Sequence, residues 1–525
     1  MPKHKNWFWL AAFAAACFFD FLFWKKNLGI SFLIWIAVLI IIGFLLAWRE
    51  GKKPSAASIV ITLLILGFAF VPAWRSEPFT RLFSAMLTSG GLLLLSATFL
   101  TGNWPFYKMV DYFKALFTAI GGGLSRAILM GTKSSNPPPL EETQTTRGGK
   151  KVWAFLRGLL IALPIVAVLA LLLTAADPVF GDWLKKILDL EKLPEYLFRA
   201  FYIVTIGGIL VGIYLHAILP NKTEERPDPN KAWMKPFLGW TETAVILAAV
   251  DLLFMAFVFI QMRYLFGGTA NINETSFTYA DYARRGFGEL VAVAVLSLGL
   301  YLVLHTVSKR ESKTSQIGFS ALTILLMANV LVILASSMSR LLLYEDAYGF
   351  SQLRTYTHVF IYWLAGLIVV TVFLELFRRH GHFALALLVM TLGFGATLAV
   401  MNVNSFIANK NIARAVAGED LDVSYLVELS SDVVPTIFEK FNDTATPKAV
   451  KEDLGYALAC RTVMMDDPVK LPWQEFNIST VQAWNLLQTN KAALSKYKVQ
   501  DNNEYGWNYI KDGETIPCMY YGYMD

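Results

Sequence analysis

The sequence predicts an all-α polytopic membrane protein of about eleven transmembrane helices, with a small, mainly helical C-terminal extramembrane domain. Three observations carry this reading. Of 525 residues, 55% are hydrophobic and only 16% are charged, where soluble domains carry about 25% charged residues. Uncharged runs recur at the ~18-residue length that a bilayer-spanning helix needs. The pattern then changes: Ser405 to Asp525 holds 11 basic and 17 acidic residues, a net charge of −6, which leaves +12 on the first 404.

The expected spans run Trp7–Trp24, Leu28–Trp48, Ser55–Ala73, Arg81–Leu100, Val152–Ala175 and Tyr196–His216. They continue with Thr241–Tyr264, Gly286–Thr306, Ile317–Arg340, Tyr356–Phe377 and Phe383–Val403. A helix satisfies its own backbone in lipid, so each span is read as helical. The transmembrane domain is thus 1–404 and the tail 405–525.

Between the fourth and fifth spans, Phe106, Val110, Phe113, Phe117 and Ile120 recur at helical spacing, interleaved with Lys108, Asp111 and Lys114. This predicts an amphipathic helix over 104–130 lying in the inner interface, ended by Gly121 to Gly123. A crossing helix here would invert everything after it. Residues 131–150, with Pro137 to Pro139, read as a disordered cytoplasmic linker.

Basic residues orient the chain. With the N-terminus inside, inner loops hold 21 Lys and Arg and outer loops hold 9. The N-terminus is therefore expected to be cytoplasmic and the tail extracytoplasmic. In the tail, Pro447 to Val463 and Ser479 to Tyr497 read as helices, the second capped by Ser479. Runs flanking Lys511-Asp512-Gly513 read as a hairpin. Cys460 and Cys518, the only tail cysteines, are the candidate disulfide, the alternative being two buried thiols.

The stretch from Gln261 to Leu290 closes one span and opens the next. Within it Asp281, Arg285 and Glu289 fall at i, i+4 and i+8, a minus-plus-minus ladder on one helix face. Arg285 can bridge both carboxylates, while Arg284 points elsewhere. Asp251 lies near mid-span, where a carboxylate costs ~2.5–3.5 kcal/mol and demands a partner or a proton. Asn329, at similar depth, is the expected partner.

Five words recur from a known family: ADPVF from Ala176, QMRYLFGG from Gln261, TYADYARRGFGEL from Thr278, YEDAYGFSQLR from Tyr344 and NVNSFIANKNIARA from Asn402. By these the chain resembles the bacterial multi-pass membrane proteins catalogued as domain of unknown function 4173, with the related 4153 group. The resemblance implies an integral membrane protein of the bacterial cytoplasmic membrane and no assigned activity. In the eleven-span threading these words fall at outer span ends. Asp177, Asp281, Arg284, Arg285, Glu289, Glu345, Asp346, Arg354, Asn411 and Arg414 are therefore candidates for one outer polar cluster. Either it ties helix ends to the tail, or it binds a lipid or small-molecule ligand.

Phosphate-binding, nucleophile-elbow and zinc-helix motifs are absent from the sequence. His380 and His382 read as charge in a basic loop rather than as ligands, and no metal, cofactor or nucleic-acid partner is expected. Three functions compete. The first is a non-catalytic membrane protein serving transport or envelope assembly. The second is an enzyme acting on a lipid-linked substrate at the outer leaflet with Asp177 or Glu345 as base. The third is an envelope sensor or scaffold working through its tail.

Overall fold

The computed structural model describes residues 2–132, 193–219, 234–265, 287–502 and 506–519, with isolated positions between 162 and 180. Among the described residues, ten helices are long and apolar enough to cross a membrane. The chain opens with α1 (Lys5–Phe23), α2 (Ile30–Arg49), α3 (Ala56–Trp74) and α4 (Pro78–Thr98). After α5 (Met109–Thr132) come α6 (Leu193–Ile218), α7 (Trp240–Leu265), α8 (Phe287–Val307) and α9 (Lys313–Tyr348). The last long helices are α10 (Gln352–Leu376) and α11 (Phe383–Met401). The expected span Val152–Ala175 and linker 131–150 lie mostly outside the described residues.

Two packed groups make up the bundle. One core joins α1 to α4 with α6, through Phe8, Ile36, Ile65, Leu95 and Leu215. The other joins α7 to α10, through Leu247, Leu298, Phe319, Leu334 and Ile368. Helix α4 meets α11 between them, where Phe83 packs edge-on to Phe394. Large side chains such as Leu63, Leu252 and Phe259 stay exposed on the perimeter, as a lipid-facing surface requires.

The helix at 104–130 departs from expectation. A short turn, Trp104–Phe106, precedes α5, which runs unbroken through Gly121 to Gly123. It packs along α6 and against α4. The buried face is the small-residue one, Ala115 and Ala119, while Phe113 and Phe117 are exposed. Alanines one turn apart let helix backbones approach closely. The aromatic stripe therefore faces away from the bundle.

Helix α9 is also longer than the expected span, at 36 residues. Ser312 caps its start, and the last turns carry Glu345 and Asp346 before Gly349 ends it. Gly349 has φ 76, the left-handed conformation that glycine adopts without steric cost.

The tail begins at Asn402, whose φ of 54 breaks α11 from α12 (Val403–Val416). It continues through α13 (Val423–Glu428), α14 (Val434–Asn442), α15 (Lys448–Met464), α16 (Ile478–Thr489) and α17 (Lys491–Leu494). Asn477, not Ser479, caps α16, accepting from the Thr480 N–H at 2.9 Å. A three-stranded antiparallel sheet, β1 (Val499–Asn502), β2 (Gly506–Lys511) and β3 (Glu514–Pro517), closes the chain. Asp512 (φ 53) and Gly513 (φ 87) form its hairpin turn, a pairing suited to the twist of the strands. Cys460 on α15 is disulfide-bonded to Cys518, with a Cα–Cα distance of 5.8 Å. Closing a loop of 58 residues is worth about 4 kcal/mol by chain entropy.

The tail and the N-terminus sit at opposite ends of the bundle. Lys3 and His4 donate their backbone N–H groups to Glu50 at the end of α2. The α4–α5 turn is at that same end, where Trp104 Nε1 donates to the Ala57 carbonyl. The tail instead meets the α1–α2 and α3–α4 turns. Ile30 N–H donates to the Phe476 carbonyl at 3.0 Å. A Cβ on Gly29 would come within 2.5 Å of the Glu475 carbonyl carbon, so only glycine allows this backbone approach.

Candidate functional site at the junction of bundle and tail

The α3–α4 turn carries the site. Glu77 caps α4, its carboxylate accepting from the Phe79 N–H at 2.8 Å and the Thr80 N–H at 2.6 Å. Pro78 at the first helical position has no N–H to satisfy. A carboxylate there also meets the positive end of the helix. Tyr356 of α10 donates its hydroxyl to the same Glu77 at 2.5 Å. Glu77 is 4% exposed.

The tail answers with Asp432. Its Oδ2 accepts from the Ser76 N–H and hydroxyl, each at 2.8 Å, and from the Glu77 N–H at 2.9 Å. Asn477 Nδ2 donates to the Pro72 and Arg75 carbonyls at 2.9 and 2.8 Å. These belong to the end of α3, where carbonyls lack intrahelical partners. Arg75 Nε donates to the Ala399 carbonyl at 2.7 Å, and its Nη1 is 3.9 Å from Asp432 Oδ1. Burial holds the Arg75 guanidinium below its ordinary value, opposed by the Asp432 charge.

A cleft of about 580 Å³ opens between the two parts. Glu77, Phe79 and Tyr356 line it from the bundle, and Arg461, Met464 and Met465 from the tail. Arg461 Nη2 donates to the Ser430 carbonyl at 3.4 Å, while its shielded Nε has no hydrogen-bond partner among the described residues. Burial pushes its pKa down to about 10. The wall thus combines thioethers and aromatic rings with one guanidinium and one engaged carboxylate. Such a surface suits an amphipathic molecule.

The structure brings together half of the expected outer cluster. Asn411 grips Phe350 at two points: Oδ1 accepts its N–H at 2.7 Å and Nδ2 donates to its carbonyl at 2.9 Å. Arg414 donates to the Asp346 carbonyl at 2.7 Å. Arg354 donates to the Gly349 carbonyl at 2.5 Å and stacks 4.0 Å from the Tyr344 ring. Glu345 is buried, with Oε2 3.3 Å from His358 Nδ1. This group holds the α9–α10 turn against α12. Glu289 is exposed on the first turn of α8, whose Phe287 ring lies 6.5 Å from that of Tyr344. Asp177 follows helical residues, its N–H donating to the Leu173 carbonyl. Asp281, Arg284 and Arg285 lie outside the described residues.

Asp251 and Asn329 do face each other, both buried. Among the described residues, neither Asp251 oxygen nor Asn329 Nδ2 reaches hydrogen-bond geometry. Asp20 is paired with Arg199 and Tyr202 of α6. Sequence reasoning missed Glu77, Asp432 and Arg461. Glu77-Pro78 before an apolar run is a legible cap signature. Nothing local marks Asp432.

Ten long apolar helices among the described residues, with a tail docked on one end, define an integral, multi-pass membrane protein. The chain belongs to the family described as Domain of unknown function (DUF4153), whose pattern matches residues 59–439. The match is to the 4153 group rather than to the related 4173 label, and it runs from α3 into α14 of the tail. No curated protein and no solved structure matches the chain.

Proposed function

We propose that this is a non-catalytic protein of the bacterial cytoplasmic membrane that serves transport or envelope assembly by holding a lipid-type ligand in the junction cleft. The carrying observation is that cleft, built half from the bundle and half from a tail fixed to it by Asp432 and Asn477. Its bundle wall is the first turn of α4 and of α10, the level of lipid headgroups at a span end. The apolar part of the ligand lies against Phe79 and the methionines, and its polar head meets Arg461. The basic asymmetry of the loops, 21 against 9, supports an outward tail and an inward N-terminus.

The test is extraction in lipid nanodiscs with identification of co-purified lipids. Met465→Trp, which fills the cleft, and Arg461→Gln are expected to lose a species that wild type retains at near-stoichiometric level. Equal retention by both variants would remove the cleft from the proposal. Orientation is read separately, from Lys470→Cys in a Cys17→Ser background. An impermeant thiol reagent on intact cells should label it; labelling only after lysis would reverse the sidedness.

A further inference from the structure

At the end of the bundle opposite the tail, three separate helix ends converge. His305 lies in the last turn of α8 and Glu375 in the last turn of α10. Arg378 takes φ 54 and closes α10, and the Arg379 N–H returns to the Leu374 carbonyl at 2.8 Å. That reversal carries His380 back over Glu375. The donor atoms of His305, Glu375 and His380 all lie within 4.8 Å of one another.

We propose that these three residues bind a divalent first-row transition ion such as zinc. Two imidazoles and one carboxylate are a common three-ligand set that leaves a coordination position open. Among the described residues, the nitrogen of His305 that faces the site has no hydrogen-bond partner, and that of His380 meets only Glu375. His305 Nε2 is shielded and unbonded. His380 Nδ1 is 3.1 Å from Glu375 Oε2 yet off the hydrogen-bond direction. The two rings stand 4.5 Å apart. Ligand atoms around tetrahedral zinc are separated by roughly 3.3 Å, a spacing that small side-chain rotations reach from here.

The carboxylate is already oriented from behind. Tyr301 donates its hydroxyl to Glu375 Oε2 at 3.0 Å, and Ser320 donates to Oε1 at 2.7 Å. Outer hydrogen bonds of this kind fix ligand orientation. One guanidinium beside the cluster, Arg310, donates to the His305 carbonyl at 2.8 Å and stacks 4.4 Å from the Phe319 ring. Glu375 is 2% exposed, and a buried carboxylate calls for a cation. The rival occupant is a proton on His380, paired with Glu375.

The experiment uses full-length protein in detergent without a polyhistidine tag. Stripped protein is incubated with Zn²⁺ or Co²⁺, and bound metal is counted by mass spectrometry and by the cobalt ligand-field bands. Wild type and His382→Ala, a neighbour outside the cluster, should each bind one ion per chain. His305→Ala and His380→Ala should weaken binding more than tenfold, and Tyr301→Phe several-fold. Glu375→Gln should do the same where it folds. If it does not, the two histidine variants, checked for monodispersity, carry the test. Substoichiometric metal on wild type, or wild-type affinity in both histidine variants, would overturn the proposal in favour of the proton. The site is remote from the junction cleft, so neither result bears on lipid retention.

Discussion

Asp432 and Ser76 hold each other reciprocally. The carboxylate accepts both the Ser76 N–H and its hydroxyl, and the Asp432 N–H donates back to Ser76 Oγ at 3.1 Å. Asp432 is 2% exposed, so its charge rests on these bonds rather than on water. Asp432→Ala strands the Ser76 and Glu77 donors, and breaking a buried charged contact costs ~3–5 kcal/mol. The expected outcome is a tail that is cleaved by protease under conditions where wild type resists. Unchanged resistance would show that Asn477 and the Gly29 contact suffice for docking.

Gly349 tests the α9–α10 turn. A Cβ there would lie 2.7 Å from Arg414 Nη1 and 2.9 Å from Asn411 Oδ1, at φ 76. Gly349→Val is expected to destabilise by about 1–3 kcal/mol from backbone strain, with further loss from displacing Arg414. Thermal melts in detergent measure it. Arg414→Ala should be milder, because the Asn411 grip on Phe350 remains.

Asp251 sits mid-helix with no completed hydrogen bond among the described residues. Replacing a buried, unpaired carboxylate by a group of similar shape is often neutral or stabilising. Asp251→Asn and Asp251→Leu are therefore expected to melt no lower than wild type. A fall of several degrees in both would reveal a polar partner. Loss of a proton-driven flux in a well-folded Asp251→Asn would strengthen the transport arm of the proposed function.

Lys511 beside the hairpin turn donates to Asp453 of α15 at 2.5 Å. That hydrogen bond raises the lysine above its ordinary 10.5. A raised folded-state value means the pair's contribution is complete below 10.5 and fades as pH climbs through the higher folded value. Asp453→Asn should lower the melting temperature at pH 8, and the difference from wild type should close in strongly alkaline buffer. A difference independent of pH would assign the effect to packing.

The membrane class, the ten spans among the described residues and the tail's hairpin are legible in the chain's own pattern. Each of these is written in local hydropathy, spacing or turn chemistry, such as Asp512-Gly513 or the uncharged run of α2. The tertiary structure alone decided which face of α5 is buried, because Ala115 and Ala119 lack a hydrophobic signal strong enough to compete with Phe113 and Phe117. It alone placed Asp432 on Ser76, and Glu375 between His305 and His380. Such contacts join residues far apart in the chain, and their partners are set by where helix ends land. A polar residue at a helix end reads the same in sequence whether it meets water, lipid headgroups or a buried partner, and only packing distinguishes them.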